Sequence, residues 1–329
     1  MDAYIVRELT QEELDKLVYT VFPQWSAYSF NVLKGGLFNT TYLLESPDSP
    51  DGKKYVLRIG PVRRELLLPY EHYLMDAEAW AYEKMAEAGI PTSVVVHADT
   101  SKTLIDRDFM VVEYIPSRGL NRGQFTEEEY RAIYTEVGRY CRMMNGITTE
   151  KFGRVGHILS GGGSDTWSGY IARELNEWAD SIRKNTRDYY TEEELSAIVS
   201  CAHEFADVLD EIKVPMFNHC DMWSLNVLVP AGGEAKVAAI IDPDRCCMGD
   251  PDFELASGWM VNDAFLEGYG RTFSGDRNTR IRVEIYRMMF EILNGYFMWV
   301  QYEDKSGAAG DRERGLARLE KIKQIKNEE

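Results

Sequence analysis

Apolar residues follow two different rhythms in the two parts of this chain. Before Pro116, short apolar runs bounded by turn residues predict strands at residues 28–33, 41–45, 54–60, 94–97 and 108–115. Two stretches in the same part, residues 11–22 and 74–88, repeat apolar residues at helical spacing. After Pro116 helical spacing dominates, over residues 126–144, 165–187, 192–211, 280–302 and 309–327. The pattern predicts an α+β chain that divides into residues 1–115 and 116–329.

A hairpin between residues 217 and 250 carries most of the polar residues that indicate chemistry. Short strands are predicted at residues 227–229 and 237–241, with a pair of glycines turning the chain between them. Asp221 and Asn226 precede the first strand in the pattern H-x-D-x-x-x-x-N, and Asp242 follows the second strand. The hairpin is therefore expected to bring Asp242 back beside Asp221 and Asn226.

Three oxygen-bearing side chains grouped in this way suit phosphoryl transfer from a nucleotide. That reaction needs magnesium on the phosphates and a group that orients the accepting hydroxyl. Magnesium prefers oxygen ligands and often takes only one or two carboxylates from the protein, so Asn226 and Asp242 are the candidate ligands. Asp221 is the candidate catalytic residue, which accepts or orients the proton of the substrate hydroxyl. A turn at Asp221 and a strand cap at Asp242 are the structural alternative.

The same segment resembles the aminoglycoside phosphotransferase and choline kinase-like family. It reads HCDMWSLNVLV and then IIDPDRCCMGDPDFELA, similar to that family's H-x-D-x-x-x-x-N, I-D-[WFP]-[DE] and G-D-P-x-x-D-L-A. Glu254 stands where the family usually has Asp. The resemblance implies a two-lobed protein-kinase-like fold, with a small β-sheet N-lobe that has one main helix and a larger, mostly helical C-lobe. Residues 1–115 would bind the nucleotide, and residues 116–329 would carry the catalytic loop and the substrate pocket.

A glycine turn between the first two predicted strands is a candidate nucleotide-covering loop. Gly35 and Gly36 would let the backbone approach phosphate oxygens without an intervening side chain. Asn39 and Thr40 would add polar contacts to the same ligand. An ordinary hairpin turn is the alternative interpretation of this glycine pair.

A basic residue on the third predicted strand is the candidate phosphate-binding residue. Protein kinases place a lysine there, and this chain has Arg58, whose planar fork can hold a phosphate with two hydrogen bonds. Lys54 on the same strand is the alternative contact. By position, Glu78 matches the glutamate that pairs with this basic residue in kinase-like folds, and Glu83 is its competitor.

The resemblance supplies expectations for three further places. Adenine would pair with backbone groups of Glu113 and Ile115, in the connection between the two parts. His219 is expected to support its loop through hydrogen bonds rather than to transfer protons. Asp244 would either help to bind the metal or contact the substrate.

We therefore expect a kinase that transfers the γ-phosphate of ATP or GTP to a hydroxyl of a small molecule, with Mg²⁺ as cofactor. An aminoglycoside or related antibiotic is the first candidate acceptor, which would be a resistance-type activity. A house-keeping metabolite such as an amino alcohol, a sugar or an amino-acid derivative is the alternative. A metal hydrolase would leave the glycine turn unexplained. A pseudokinase binding module is disfavoured because Asp221, Asn226 and Asp242 occur together.

Composition changes this picture only slightly. The 329 residues carry a net charge of −17, which argues against nucleic-acid and anionic-membrane partners and is compatible with a cationic substrate. Some of the acidic residues belong to predicted capping boxes that begin at Thr10, Thr126 and Thr191. The methionine and aromatic pattern of residues 280–302 predicts buried core rather than a ligand site. Five cysteines without a zinc pattern, and an N-terminus unlike a signal peptide, predict a reduced cytoplasmic protein.

Overall fold

A computed structural model describes residues 5–33 and 38–328. Its N-terminal part contains an antiparallel sheet with the strand order β1-β2-β3-β5-β4. The strands are β1 (Ser29–Leu33), β2 (Thr40–Glu45), β3 (Tyr55–Ile59), β4 (Val95–Asp99) and β5 (Phe109–Glu113). Helix α1 (Gln11–Val21) precedes the sheet, and helix α2 (Leu74–Glu87) lies between β3 and β4 in the chain. Each strand falls within two residues of its predicted position.

The two helices cover opposite faces of this sheet. Leu14, Leu17 and Val18 of α1 pack with Leu57 and Ile59 of β3 in one apolar cluster. On the other face, α2 packs against the sheet through a second cluster, whose members are Met75, Tyr82, Met110, Val112 and the partly buried Val56. Because side chains alternate along a strand, Arg58 shares the α2 face with Val56. The register of β3 therefore fixes the face on which the arginine is found.

Two small sheets follow in the C-terminal part. Strands β6 (Ser117–Gly119), β9 (Val227–Pro230) and β10 (Ala239–Ile240) form one of them, in the order β10-β9-β6. Strands β7 (Gly153–Arg154), β8 (Met216–Asn218) and β11 (Cys247–Gly249) form the other, in the order β7-β11-β8. β9 and β10 pair as the predicted hairpin, with Ile240 opposite Val227. The hairpin thus places the residues after β10 next to those before β9.

Helices build the rest of the C-terminal part. They are α3 (Glu127–Met144), α4 (Val155–Leu159), α5 (Trp167–Asn185), α6 (Glu192–Glu204), α7 (Ala206–Leu209), α8 (Asp252–Ala256), α9 (Asp263–Tyr269), α10 (Arg277–Tyr296) and α11 (Lys305–Lys326). The capping boxes predicted at Thr10, Thr126 and Thr191 are present at the starts of α1, α3 and α6. None of the helices in the described ranges combines the length and apolar character needed to span a bilayer.

Two predicted helices are interrupted. The predicted helix 192–211 bends at Phe205, which separates α6 from α7. The predicted helix 280–302 begins earlier, at Arg277, and ends at Tyr296, where the chain continues as a wider π-helical turn, Phe297–Gln301. Such turns often occur at functional sites, because the extra residue redirects the side chains that follow. Phe297 and Met298 of this turn line a large cavity.

The chain leaves the N-terminal sheet and joins the C-terminal part within a few residues. β5 ends at Glu113, and β6 begins at Ser117 and pairs with β9. The predicted division at residues 115 and 116 falls in this connection. The architecture, a small antiparallel sheet followed by a larger helical part, is the α+β arrangement predicted from the sequence.

Candidate active site

A large cavity lies between the N-terminal sheet and the helical part. Its volume is about 1100 Å³. Arg58 of β3, Glu113 at the end of β5, Asp221, Asn226 and Asp242 are all among the residues that line it. The residues that the sequence singled out for phosphoryl transfer therefore share one cleft.

Arg58 connects the sheet to the C-terminal hairpin. Its guanidinium forms ion pairs with Glu78 of α2 and with Asp242. The Glu78 side chain is completely buried, and only 11% of the Arg58 side chain is exposed. Burial is the largest single effect and would lower the pKa of Arg58, but Asp242, Tyr82 and Asp244 together outweigh it and raise that pKa above its ordinary value. Arg58 is thus a permanent positive charge at the wall of the cleft.

Lys54 and Glu83, which the sequence offered as alternatives to Arg58 and Glu78, make other contacts. Lys54 forms an ion pair with Glu45 at 3.0 Å, and 42% of its side chain is exposed. The Glu83 side chain is largely exposed and its nearest basic partner is Lys84, at 3.8 Å. Of the alternatives left open by the sequence, Arg58 and Glu78 are the pair that the fold brings to the cleft.

His219 fixes the loop that precedes β9. Its Nε2 lies 3.0 Å from the Ile241 carbonyl oxygen, and its Nδ1 accepts a hydrogen bond from the Asp221 backbone N–H at 3.3 Å. These partners require the tautomer that is protonated at Nε2. Burial lowers the pKa of His219 to about 4, so the ring is neutral near pH 7. The geometry agrees with the expected supporting role of this histidine.

Asp221 and Asn226 are held together by two hydrogen bonds. The Asn226 side-chain amide donates to the Asp221 backbone carbonyl at 2.9 Å and to its carboxylate at 3.1 Å. Burial, followed by repulsion from Asp242, raises the pKa of Asp221 to about 6, although Arg245 works in the opposite direction. Because the Asn226 nitrogen is used in these contacts, the amide oxygen is the atom it could offer to a cation.

Asp242 and Asp244 bring two more carboxylates to the same point. The carboxylate oxygens of Glu78, Asp242 and Asp244 lie within 4.8 Å of one another. Asp244 is buried, and burial together with the Asp242 carboxylate raises its pKa well above the usual range. A set made only of oxygen atoms fits a hard divalent cation such as Mg²⁺. A bound cation would also relieve the repulsion between these acids.

Two residues of the site have left-handed backbone conformations. Cys220 has φ 66° and Asp242 has φ 63°. Such conformations cost about 1–3 kcal/mol in residues other than glycine and concentrate at functional sites. The Cys220 N–H donates to the buried Glu254 carboxylate at 2.8 Å, and the Asp242 N–H donates to the Tyr82 hydroxyl at 3.0 Å. A buried side chain therefore holds each strained residue in place.

The comparison with known families decides what kind of protein carries this site. The sequence matches the model of the phosphotransferase enzyme family over residues 29–283. The chain belongs to this family. It is a phosphotransferase with an alcohol group as acceptor, a kinase of small molecules, as the resemblance at residues 217–256 predicted. A search of curated protein sequences gives no match.

Several solved structures of phosphotransferases are similar in fold. A thermostable mutant of the aminoglycoside phosphotransferase APH(4)-Ia, in a ternary complex with AMP-PNP and hygromycin B, superposes with a TM-score of 0.62 at 18% identity, covering 94% of this chain and 98% of that one. The choline kinase LicA from Streptococcus pneumoniae gives 0.61 at 14% identity, covering 94% and 99%. The GDP and kanamycin complex of APH(2")-IIia gives 0.59 at 13%, covering 96% and 99%. These similarities confirm the predicted kinase-like fold.

The predicted nucleotide-covering turn of this phosphotransferase is only partly visible. Gly35 and Gly36 lie outside the described residues. Asn39 lines the cleft together with Phe38 and Thr41. Thr40 is buried, and its hydroxyl donates to the Arg7 carbonyl at 3.1 Å. Since neighbouring residues of a strand face opposite ways, the structure brings Thr41 to the cleft where the sequence suggested Thr40.

The connection between the two parts lines the cleft with backbone groups. The Glu113 N–H donates to the Val94 carbonyl at 2.9 Å, and the Glu113 carboxylate accepts from Lys53 at 2.6 Å. The Ile115 carbonyl accepts from the Ser117 hydroxyl at 2.9 Å. The Glu113 carbonyl and the Ile115 N–H are therefore the backbone groups with which an adenine would have to pair.

Sequence reasoning missed several residues of the cleft in this kinase. Arg245 lines it, with its guanidinium carbon 4.1 Å from the Phe297 ring centroid. Residues 280–302 are for the most part buried core, as predicted, and Phe297 and the end of α10 also line the cleft. A buried apolar helix and an apolar cavity wall have the same sequence pattern, so the pattern alone did not show that this end borders the cleft. Arg245 follows Asp244 directly, and this adjacency was the available signal.

Proposed function

We propose that this kinase transfers the γ-phosphate of a nucleoside triphosphate to a hydroxyl group of a small acceptor held beside Asp221. The observation that carries the proposal is the convergence of Asp221, Asn226 and Asp242 on one cleft, beside the buried Arg58–Glu78 ion pair. Phosphoryl transfer relies mainly on positioning and on electrostatic stabilisation, and these residues supply both.

Asp221 is the proposed catalytic residue. Its carboxylate is positioned by the Asn226 amide, and its backbone N–H is held by His219. A carboxylate with a pKa of about 6 is ionised for the most part at neutral pH, so it can accept the hydroxyl proton of the acceptor. His219 stays neutral and keeps the loop in shape.

Asn226 and Asp242 are the proposed magnesium ligands, and Asp244 is a third candidate. The Glu78 side chain is completely buried against Arg58, whereas Asn226, Asp242 and Asp244 line the cleft and can offer their oxygen atoms to the cation. When bound, Mg²⁺ would neutralise charge on the nucleotide phosphates. The oxygen-only set and the mutual repulsion of Asp242 and Asp244 both support this assignment.

Arg58 and the connecting segment form the proposed nucleotide site. Arg58, oriented by Glu78, would contact the phosphates, and Asn39 would approach them from the turn. Glu113 and Ile115 would hold the base through their backbone groups. Related structures contain AMP-PNP in one case and GDP in another, which supports a nucleotide co-substrate and leaves both ATP and GTP as candidates. The proposed N-lobe is residues 1–115, and the C-lobe is residues 116–329.

Two classes of acceptor follow from the resemblance. Similar structures contain hygromycin B or kanamycin, which supports an aminoglycoside or related antibiotic as one class. A house-keeping hydroxyl metabolite is the other class. The argument from acidic charge is weak, as the predicted capping boxes indicated, because Glu13, Glu129 and Glu194 are occupied in helix caps.

Magnesium-dependent nucleotide turnover tests the proposal. ATP and GTP are each incubated with a panel of hydroxyl compounds, and nucleoside diphosphate release is measured for the wild type, Asp221→Asn and Asp221→Ala. Both variants should lose at least about 100-fold in kcat while still binding nucleotide, because they lack the proton acceptor. Nucleotide turnover that survives in Asp221→Ala would contradict the assigned role. Binding without turnover in the wild type would favour a pseudokinase.

A further inference from the structure

The C-terminal part of the chain contributes an apolar, aromatic wall to the cleft. The residues that form it are Trp259, Phe290, Leu293, Phe297, Met298 and Tyr302. Asp221, the proposed catalytic residue, lines the same cleft as these residues. An acceptor that reaches Asp221 can therefore contact this wall.

Trp259 is the most exposed aromatic residue of this wall. Forty per cent of its surface is accessible, and its ring meets Phe290 edge-on with 5.7 Å between the ring centroids. A large exposed aromatic residue at the edge of a concave pocket is typical of a surface that a ligand covers. A flat or hydrocarbon part of an acceptor would bury this ring.

A cationic side chain, that of Arg245, packs against one ring of the wall. The Arg245 guanidinium lies over the Phe297 ring at 4.1 Å and within 5.7 Å of Phe38. Its ion pair with Glu71 is 3.7 Å long, which exceeds hydrogen-bond distance. Only 13% of the Arg245 side chain is exposed, and it lines the cleft. The edge of the guanidinium can therefore donate to an anionic or neutral oxygen in the cleft.

The acidic residues of the cleft are poorly suited to bind an ammonium group of the acceptor. Asp311 lines the cleft but forms an ion pair with Arg314. Asp242 is paired with Arg58, Glu113 is paired with Lys53, and Asp244 lies in the candidate magnesium cluster. Asp221 also lines the cleft, but its carboxylate is the proposed acceptor of the hydroxyl proton and already lies in the field of the Arg245 cation. An ammonium that loses its water in this pocket would need a free carboxylate, and its burial would otherwise be costly.

An aromatic cage for a quaternary ammonium is the main alternative use of such a wall. The Phe297 ring face is already covered by Arg245. Burial would lower the pKa of Arg245, but the groups around it, Tyr70 and Glu71 first, outweigh burial and keep the guanidinium charged. A second cation near Phe297 would be repelled by the guanidinium. The wall therefore suits apolar groups better than cationic ones.

We infer that the acceptor is a ring-bearing alcohol that is neutral or anionic, with its apolar part against Trp259 and Phe297 and any carboxylate at Arg245. This inference rests on the proposed kinase function and narrows its acceptor class. It disfavours polycationic aminosugars, although they were the first candidates from the sequence.

Three alcohols of equal shape and different charge test the inference. They are 4-(hydroxymethyl)benzoate, 4-methylbenzyl alcohol and 4-(aminomethyl)benzyl alcohol, and their binding to the wild type is measured by calorimetry with AMP-PNP and Mg²⁺ present. The carboxylate should bind about tenfold tighter than the ammonium compound, as one charge-assisted hydrogen bond would give, with the neutral alcohol between them. Equal or tighter binding of the ammonium compound, of choline or of kanamycin would overturn the inference. Failure of all three aryl alcohols to bind would also overturn it.

A matched pair of variants tests whether this wall determines the preference between the anionic and the cationic alcohol. Met298 is partly buried and lines the cleft, so Met298→Glu adds a carboxylate there and Met298→Gln adds an uncharged group of the same size. The Glu variant should shift the preference towards the ammonium alcohol by about tenfold, and the Gln variant should keep the wild-type order. An unchanged preference in Met298→Glu would remove this wall from the acceptor site.

The nucleotide controls separate this inference from the proposed function. AMP-PNP binding and its magnesium dependence are measured in the same samples without any acceptor. Absence of nucleotide binding counts against the proposed function. Normal nucleotide binding together with a preference for cations counts against the acceptor class alone.

Discussion

Glu254 accepts a hydrogen bond at 2.8 Å from the backbone N–H of Cys220, the residue that precedes Asp221. The two residues are far apart in the chain, and both are buried. Cys220 has a left-handed backbone conformation, so Glu254 helps to hold the loop before Asp221 in a strained shape. Glu254, from the segment after β11, is therefore expected to help position the proposed catalytic carboxylate.

We expect Glu254→Ala to lower kcat by about 10–100-fold and to change the acceptor and nucleotide KM values little. The variant removes the acceptor of the Cys220 N–H, and loss of positioning reduces the rate without removing a binding contact. Glu254→Gln keeps an oxygen at the same place and should retain most of the activity. Steady-state kinetics of both variants, with thermal unfolding as a check of folding, measures this. A rise in KM at constant kcat would argue for a binding role instead.

Arg58→Ala should raise the nucleotide KM by about tenfold or more while the acceptor KM stays close to that of the wild type. The variant would remove the proposed charge-assisted contact to phosphate, and such contacts are worth about 1.5–3 kcal/mol. Lys54→Ala is the matched control on the same strand, because Lys54 pairs with Glu45, and it should leave both KM values unchanged. If Lys54→Ala weakens nucleotide binding more than Arg58→Ala does, the phosphate contact is assigned to the wrong residue.

Glu177 on α5 should make folding stability depend on pH. Burial, and then repulsion from Glu174, raises the pKa of Glu177 to about 7 in the folded protein, and one carboxylate oxygen is buried without a hydrogen-bond partner among the described residues. The folded state thus holds the proton more tightly than the unfolded chain, whose carboxyl has a pKa near 4.5. Below about pH 4.5 Glu177 is protonated in both the folded and the unfolded state, so it costs no stability. As the pH rises towards 7 its ionisation increasingly destabilises the folded state, and this loss persists at higher pH.

Glu177→Gln should therefore raise the free energy of unfolding by about 1 kcal/mol at pH 8 and change it little at pH 4.5, allowing for the partial exposure of this residue. Chemical denaturation at both pH values measures the difference. Glu313→Gln, at an exposed position of α11, is the control and should show no such dependence. An equal effect of Glu177→Gln at both pH values would contradict the explanation.

Gly138 allows α3 and α9 to cross closely. A Cβ at this position would clash with the Phe265 backbone carbonyl, and one at Gly268 would clash with the Thr135 carbonyl. Gly138→Ala should therefore destabilise the protein by about 2 kcal/mol or more, although alanine favours helix formation. In Gly310→Ala on α11, the nearest atom is the end of a flexible arginine side chain, and stability should be equal or slightly higher. Thermal unfolding compares the two variants.

Much of the fold was predictable because each signal was local. Strands, helices and the three capping boxes depend on residues that are neighbours in the chain, and the structure agrees at Thr10, Thr126 and Thr191. The hairpin also follows from local signals, and it was enough to predict that Asp242 returns to Asp221 and Asn226.

The remaining features depend on register and on contacts between distant residues. A shift of one residue in β2 decides whether Thr40 or Thr41 reaches the cleft, and a glycine turn does not specify it. The role of Arg245 depends on Phe297, which lies on another element. An apolar helix end can line a cavity or a core, and only the position of its neighbours distinguishes these.

The central claim is that Asp242 binds the metal that accompanies the nucleotide. The most direct test is calorimetric binding of AMP-PNP with and without Mg²⁺ to the wild type, to Asp242→Ala and to Glu83→Ala, the last being an exposed control on α2. We predict that Mg²⁺ strengthens AMP-PNP binding to the wild type and to Glu83→Ala, and that this strengthening is lost in Asp242→Ala while the protein stays folded. An unchanged effect of Mg²⁺ in Asp242→Ala would contradict the account.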